Sequence, residues 1–170
     1  MFFDLVLIGV ILFLFILLSM VWPPDSPWAP WWRTNKETAL AICKLANIKK
    51  DDVVYDLGCG DGEVLLQAAK IGAKGVGVEI DPARYLVAKL RMSKNGYEDK
   101  VKIKRKNFFN ENISNASVIV VYLVPKTLEK LIPKFKKELK KGTKIVSFRY
   151  KTNLKLIEED SKNKLYLYTT

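Results

Sequence analysis

One glycine-rich turn constrains this chain more than any other feature: Asp56-Leu57-Gly58-Cys59-Gly60-Asp61-Gly62. Before it, Val53-Val54-Tyr55 is β-branched and aromatic, the composition of a short buried strand. After it, Val64, Leu65, Ala68 and Ala69 recur at helical spacing between Glu63 and Ile71. A strand entering a glycine turn that opens a helix sets free backbone N–H groups and the helix's positive end beside a ligand. Glycine is required where a Cβ would block the ligand or where φ is positive. The spacing is G-x-G-x-G, with Glu63 where a dinucleotide fingerprint has its third glycine, which argues for a ligand related to NAD rather than NAD itself.

The next unit supplies the second half of the signature. Gly75-Val76-Gly77-Val78-Glu79-Ile80 reads as a strand ending in an acidic residue, and Asp81-Pro82 follows as a helix cap and first helical residue. A carboxylate at the end of the second strand, roughly 20 residues past the turn, accepts hydrogen bonds from ribose hydroxyls. Glu79 meets that spacing, 23 residues after Asp56.

Further along, the helix after Asp81 stops near Asn95-Gly96, and Val101 to Lys104 alternates as a third strand. Ser117 to Val124 reads as a buried fourth strand, and Pro125 opens a helix interrupted or started late at Pro133. Lys144 to Tyr150 is a fifth strand. Leu154 to Glu158 and Leu165 to Thr169 close the chain as an antiparallel hairpin. Upstream, Thr34-Asn35-Lys36-Glu37 is a capping box opening a helix with Ala39, Ile42, Cys43 and Ala46 inward. Strands alternating with helices predict an α/β fold with a parallel sheet and a ligand at the carboxyl ends of its strands.

With those motifs in place, the chain resembles the class I, seven-strand methyltransferases that use S-adenosyl-L-methionine. The resemblance covers about residues 27 to 151. It is nearest the small archaeal and bacterial protein-lysine methyltransferases and their mitochondrial relatives, which act on the ATP synthase c-subunit and the adenine nucleotide translocase. Pro27-Trp28-Ala29-Pro30 is similar to that family's P-x-V-P motif, Lys106-Asn107-Phe108-Phe109 to its third-strand loop, and Val121-Tyr122-Leu123-Val124-Pro125 to its fourth-strand active-site segment. The resemblance implies a Rossmann-like domain in which the turn holds the methionine end of the cofactor and Glu79 the ribose. The cofactor-binding candidates are Asp56, Gly58, Cys59, Gly60, Gly62, Glu79, Ile80, Asn107 and Phe108. Asn107 and Phe108 are placed against the adenine, although Phe108 and Phe109 also suit a core. Tyr122 is the candidate on the acceptor side, lining a channel or packing at a strand end.

The amino-terminal part differs in kind. Leu5 to Trp22 is an almost unbroken apolar run, and Trp22, Trp28, Trp31 and Trp32 suit an interfacial belt. No basic start or A-x-A-like site marks a cleaved signal peptide. The expected organisation is a transmembrane anchor at 1–22, a Pro/Trp-rich linker at 23–33 and a methyltransferase domain at 34–170. The first basic residue is Arg33, and residues 33–170 carry all 29 basic residues against 16 acidic ones, a net charge of +13. The positive-inside rule then puts the domain in the cytoplasm. The excess positive charge suits anionic headgroups, nucleic acid, or simply solvated lysines.

The chain has no histidine, which excludes a histidine base, a histidine metal ligand and a Ser-His triad; no metal is expected. Its two cysteines, Cys43 and Cys59, make no disulfide framework. Base-modifying relatives carry an N-P-P-Y type loop after strand four, where this chain has Tyr122-Leu123-Val124-Pro125, so a nucleic-acid acceptor is disfavoured. No tryptophan follows strand five, which leaves acceptor identity less constrained than cofactor identity. The expected activity is methyl transfer to the ε-amine of a membrane-associated protein's lysines. A lipid headgroup or small lipophilic acceptor is the alternative, and a non-enzymatic cofactor- or membrane-binding module the third.

Overall fold

The computed structural model describes residues 2–21 and 33–170, with side chains for 3–16 and 33–170. Strand β1 (Val53–Leu57) leads through the glycine turn into α3 (Glu63–Ile71), and β2 (Lys74–Glu79) into α4 (Pro82–Lys94). Then come β3 (Val101–Arg105), a 3-10 turn (Phe108–Asn110), β4 (Val118–Val121), α5 (Pro125–Glu138), β5 (Lys144–Phe148), β6 (Leu156–Asp160) and β7 (Leu165–Thr169). Ahead of these lie α1 (Phe2–Val21) and α2 (Lys36–Leu45).

The seven strands form one sheet in the order β3-β2-β1-β4-β5-β7-β6. The first five are parallel, and β7 enters antiparallel beside β5 with β6 outside it. The chain runs outward from β1 through β2 to β3, then returns to place β4 on β1's other side. That reversal opens a crevice at the carboxyl ends of β1 and β4, where ligands bind in open α/β sheets.

Alternation along the central strands builds two cores. Val54, Val118, Val120 and Val146 face one side, against Ile42 and Cys43 of α2, Leu65, Ala68 and Ala69 of α3, and Ala88 and Met92 of α4. Tyr55, Leu57, Ile119, Val121 and Ile145 face the other, against Leu128, Leu131 and Phe135 of α5. With both faces covered, the inner strands are continuously apolar, which is why β4 reads as Val-Ile-Val-Val without alternation.

Several sequence expectations are corrected. The cap of α2 is Asn35, not Thr34: the Asn35 side chain accepts the Thr38 amide at 2.8 Å. Helix α5 runs unbroken through Pro133. Pro133 and Glu129 are both exposed, so the carbonyl left without an amide partner faces water. Strand β4 ends at Val121, leaving Tyr122 to Val124 as a loop, and β6 starts two residues later than expected, at Leu156.

Among the described residues no helix is long and apolar enough to cross a membrane. The side chains of α1 are described only for 3–16, about 21 Å of helix against a hydrocarbon core of about 30 Å. The expected span at 1–22 is therefore not met within them. The tryptophan belt and Pro27 to Pro30 lie outside the described residues.

Candidate functional site

The turn after β1 takes its shape from three alternating left-handed glycines, Gly58, Gly60 and Gly62, with φ of +88°, +54° and +78°. These conformations strain any residue with a Cβ, which accounts for the G-x-G-x-G spacing. A Cβ on Gly60 would meet no atom of the described residues within 4 Å, so among them that position opens onto the crevice. One on Gly62 would press Met92 Cε at 3.1 Å; the third glycine is there to let α4 pack close.

Four amides of this turn are engaged within the protein, contrary to the sequence expectation of free donors. Gly58 and Cys59 donate to the Val78 carbonyl at 2.8 and 3.2 Å, and Gly62 to the Cys59 carbonyl at 2.8 Å. Gly60 donates to Glu79 Oε2 at 2.9 Å, while Asp81 donates to Oε1, also at 2.9 Å. Glu79 is thus buried at the end of β2 with one backbone donor on each oxygen, and a carboxylate has lone pairs left for two ribose hydroxyls. Glu79 therefore braces the turn as well as facing the crevice, something its spacing alone did not reveal.

The result is an acidic cradle. Asp56, Glu79 and Asp61 act on one another, and burial first, then Glu79 and Asp61, push the Asp56 carboxyl up to about 7. Asp61 is held by Arg33 at 2.6 Å and by Arg91 of α4 at 3.1 Å. Arg91 also pairs with Glu63, which accepts from Gln67 at 2.6 Å. A site with engaged amides and crowded carboxylates repels a pyrophosphate. It suits a ligand carrying positive charge beside a ribose, as S-adenosylmethionine does with its sulfonium and ammonium groups. On this reading Glu79 would hold the ribose and Asp56 would face the cationic end.

A pH dependence follows. The folded-state pKa of Asp56 lies above the ordinary carboxylate range, so the folded state binds the extra proton. Its contribution to stability is largest below the unfolded value near 4 and is lost as pH rises to about 7. A cationic ligand favours the ionised form, so cofactor affinity is expected to rise with pH through about 7. Asp56→Asn should flatten that profile in calorimetric titrations between pH 5.5 and 8.5.

Other predicted residues fall as follows. The Cys59 thiol turns inward: an added Cβ on Gly77 would sit 2.7 Å from its sulfur, so the side chain packs on β2 and not on a ligand. Burial, then Asp56, keeps that thiol protonated. Ile80 is exposed just beyond Glu79, an apolar surface at the crevice rim. Asn107 caps the 3-10 turn, accepting the Phe109 amide at 3.0 Å. Phe108 is half-buried, its ring 4.8 Å from that of Phe109, and packs on the second core. The loop carrying Asn107 and Phe108 is steadied by Glu111, which is buried and paired with Lys104 at 2.5 Å and Lys106 at 3.0 Å.

Tyr122 stands just past β4, one strand over from the turn. Its ring lies 4.4 Å from that of Phe148, at the end of the neighbouring strand β5. Burial raises its phenol pKa, with Arg149 opposing, so the ring is neutral near pH 7. Sequence reasoning passed over Phe148 and Arg149. Their only signal was position, at the carboxyl end of a strand bordering the crevice.

Comparison with known proteins agrees with this geometry. The family model described as the ANTKMT methyltransferase domain matches residues 56–155. A protein-lysine N-methyltransferase of Saccharolobus islandicus is 36% identical over 158 residues, 88% of this chain and 96% of that protein. The ATP synthase c-subunit lysine N-methyltransferase of Caenorhabditis elegans is 28% identical over 116 residues, 68% of this chain and 60% of that protein. Among solved structures, an RNA methyltransferase from Salinibacter ruber bound to S-adenosyl-L-homocysteine superposes with a TM-score of 0.72 at 33% identity, covering 81% of this chain and 93% of that one. Fold, cradle and relatives together define a methyltransferase dependent on S-adenosylmethionine. The chain belongs to the ANTKMT methyltransferase-domain family.

Proposed function

We propose that this enzyme transfers methyl groups to the ε-amine of protein lysines, and that α1 tethers it to a membrane with its catalytic domain on the cytoplasmic side. The observation that carries the acceptor class is the similarity to the Saccharolobus islandicus protein-lysine N-methyltransferase over nearly the whole of both proteins. The site is compatible with it. S-adenosylmethionine supplies a methyl on a sulfonium, and the amine must arrive deprotonated and aligned. Beside the half-buried Tyr122–Phe148 ring pair, desolvation and the sulfonium's own positive charge would lower the acceptor amine's pKa. With no histidine in the chain and the Tyr122 phenol held neutral, water or a carboxylate takes the proton.

The tether is supported by the surface of α1. Among its described side chains the large apolar ones are exposed, from Val10 at 48% to Phe3 at 86%. Such a patch needs an apolar partner. The net charge of +13 on residues 33–170 suits an anionic membrane surface.

Tyr122→Ala is expected to lower kcat by at least about tenfold while changing cofactor affinity less than threefold, because the ring acts on the acceptor side. Single-turnover kinetics beside cofactor calorimetry separate the two. The proposal itself is tested by supplying labelled S-adenosylmethionine to the enzyme with total membranes, then separating protein, lipid and RNA. Label in protein, lost when the membranes are first stripped of protein, is expected. Label confined to lipid overturns it in favour of a headgroup acceptor. Label confined to RNA would follow the Salinibacter ruber relative, named as an RNA methyltransferase. Resistance of the full chain to alkaline extraction tests the tether separately.

A further inference from the structure

We infer that Arg91 is a positioning residue that sets the charge of the cofactor cradle. By clamping Asp61 it keeps that carboxylate from adding to the negative field of Asp56 and Glu79. It thereby limits how far the site prefers S-adenosylmethionine, with its sulfonium, to the product S-adenosylhomocysteine, whose sulfur is neutral. This role concerns the cofactor and holds whichever acceptor takes the methyl. The clamp begins with the backbone. Asp61 lies between two left-handed glycines, Gly60 and Gly62, in the turn that borders the crevice. Gly62 lets α4 come close: an added Cβ there would lie 3.1 Å from Met92 Cε and 3.4 Å from Ala88 Cβ, on the helix that carries Arg91. Arg91 Nη2 then reaches Asp61 Oδ2 at 3.1 Å, while its Nη1 donates to Glu63 Oε2. Gln67 steadies Glu63 from the other side, donating to Oε1 at 2.6 Å.

Exposure singles out Arg91 from the second arginine on Asp61. The Arg91 and Asp61 side chains are 19% and 16% exposed, so water and salt screen that pair weakly. Arg33, on the same Asp61 oxygen at 2.6 Å, is 62% exposed and contributes less. The Asp61 charge is felt inside the cradle: after burial and Glu79, it is among the causes that push the Asp56 carboxyl up to about 7. Without its clamp, Asp61 would add a further uncompensated negative charge there. Too strong a field would slow the reaction. As the methyl carbon leaves sulfur for the acceptor's lone pair, the bonding electrons stay on sulfur and its positive charge passes to the acceptor. A site that held the sulfonium too firmly would stabilise the ground state and raise the barrier. Arg91 keeps the cradle negative enough to recognise a cation without holding it that firmly.

The test is calorimetry on the full chain with S-adenosylmethionine and S-adenosylhomocysteine, which are close in shape and differ in the charge on sulfur. Their affinity ratio should follow the charge of the cradle, whereas a residue that merely held the turn in shape would change both affinities together. Arg91→Met keeps much of the apolar stem and removes the charge, and the ratio should rise in favour of S-adenosylmethionine by at least about threefold. Asp61→Asn should lower the ratio by a similar factor. Combining the two changes should return it close to wild type, a coupling that a double-mutant cycle reads. Arg91→Lys should keep the ratio within about twofold of wild type, even where the lost fork geometry weakens both ligands. Arg33→Gln should shift the ratio less than Arg91→Met does. A ratio that is unchanged or lower in Arg91→Met overturns the inference and leaves the cofactor assignment intact. Should that variant not fold, a ratio that is unchanged or higher in Asp61→Asn overturns it in the same way.

Discussion

Gly77→Ala should destabilise the domain by about 1–3 kcal/mol, the usual cost of overpacking a dense core, and lower Tm by several degrees. Gly77 lies in the middle of β2, where the added Cβ would be 2.7 Å from Cys59 Sγ, 2.7 Å from Leu65 Cδ1 and 2.8 Å from Ile103 Cδ1. Three directions are closed at once, so the side chains cannot all turn aside. The damage reaches the site because Cys59 is part of the glycine turn, and pushing its side chain moves the backbone that holds Gly60. Weaker cofactor binding should therefore accompany the loss of stability. A second change, Cys59→Ala, removes the sulfur and should restore part of both, a coupling that a double-mutant cycle measures directly. An unchanged thermal transition in Gly77→Ala would mean that β2 and the turn are not packed as described.

Glu79→Ala should weaken S-adenosylmethionine binding by at least about tenfold. Hydrogen bonds donated by ribose hydroxyls to a charged acceptor contribute roughly 1.5–3 kcal/mol each. The structure adds a second consequence. Removing the carboxylate leaves the Gly60 and Asp81 amides without their acceptor, so the turn and the start of α4 loosen together. Glu79→Gln keeps the shape and one acceptor oxygen, and it should bind cofactor with intermediate affinity. Calorimetry on folded variants reads the series; equal affinity across all three would remove Glu79 from the site.

How far the sequence carried this account depends on how local the cause was. The glycine spacing is legible because it answers to backbone geometry within five residues, and all three glycines are left-handed. Glu79 is legible because a βαβ unit fixes the distance between consecutive strand ends. What those residues touch was not legible. The Gly58, Cys59 and Gly60 amides go to Val78 and Glu79, a matter of how β2 lies beside β1. Arg91 reaches Asp61 across 30 residues, and nothing in the α4 sequence marks it apart from other surface arginines. Arg149 was hardest to see. A left-handed arginine has no sequence signature, and neither has the Tyr122–Phe148 ring contact beside it, which comes from the parallel pairing of β4 with β5. The cap of α2 was misread by one residue because Thr34 and Asn35 are both good caps, and hydrogen bonding decides between them.

The most direct test of the account is the chemical identity of the methylated group. Membrane proteins labelled from S-adenosylmethionine by the full-length enzyme, and in a parallel reaction by Glu79→Ala, would be hydrolysed to amino acids and separated. The account predicts label in ε-N-methyllysine with wild type and a strong reduction with the variant at limiting cofactor. Label in methyl esters, in methylarginine, or only in lipid or RNA would contradict it.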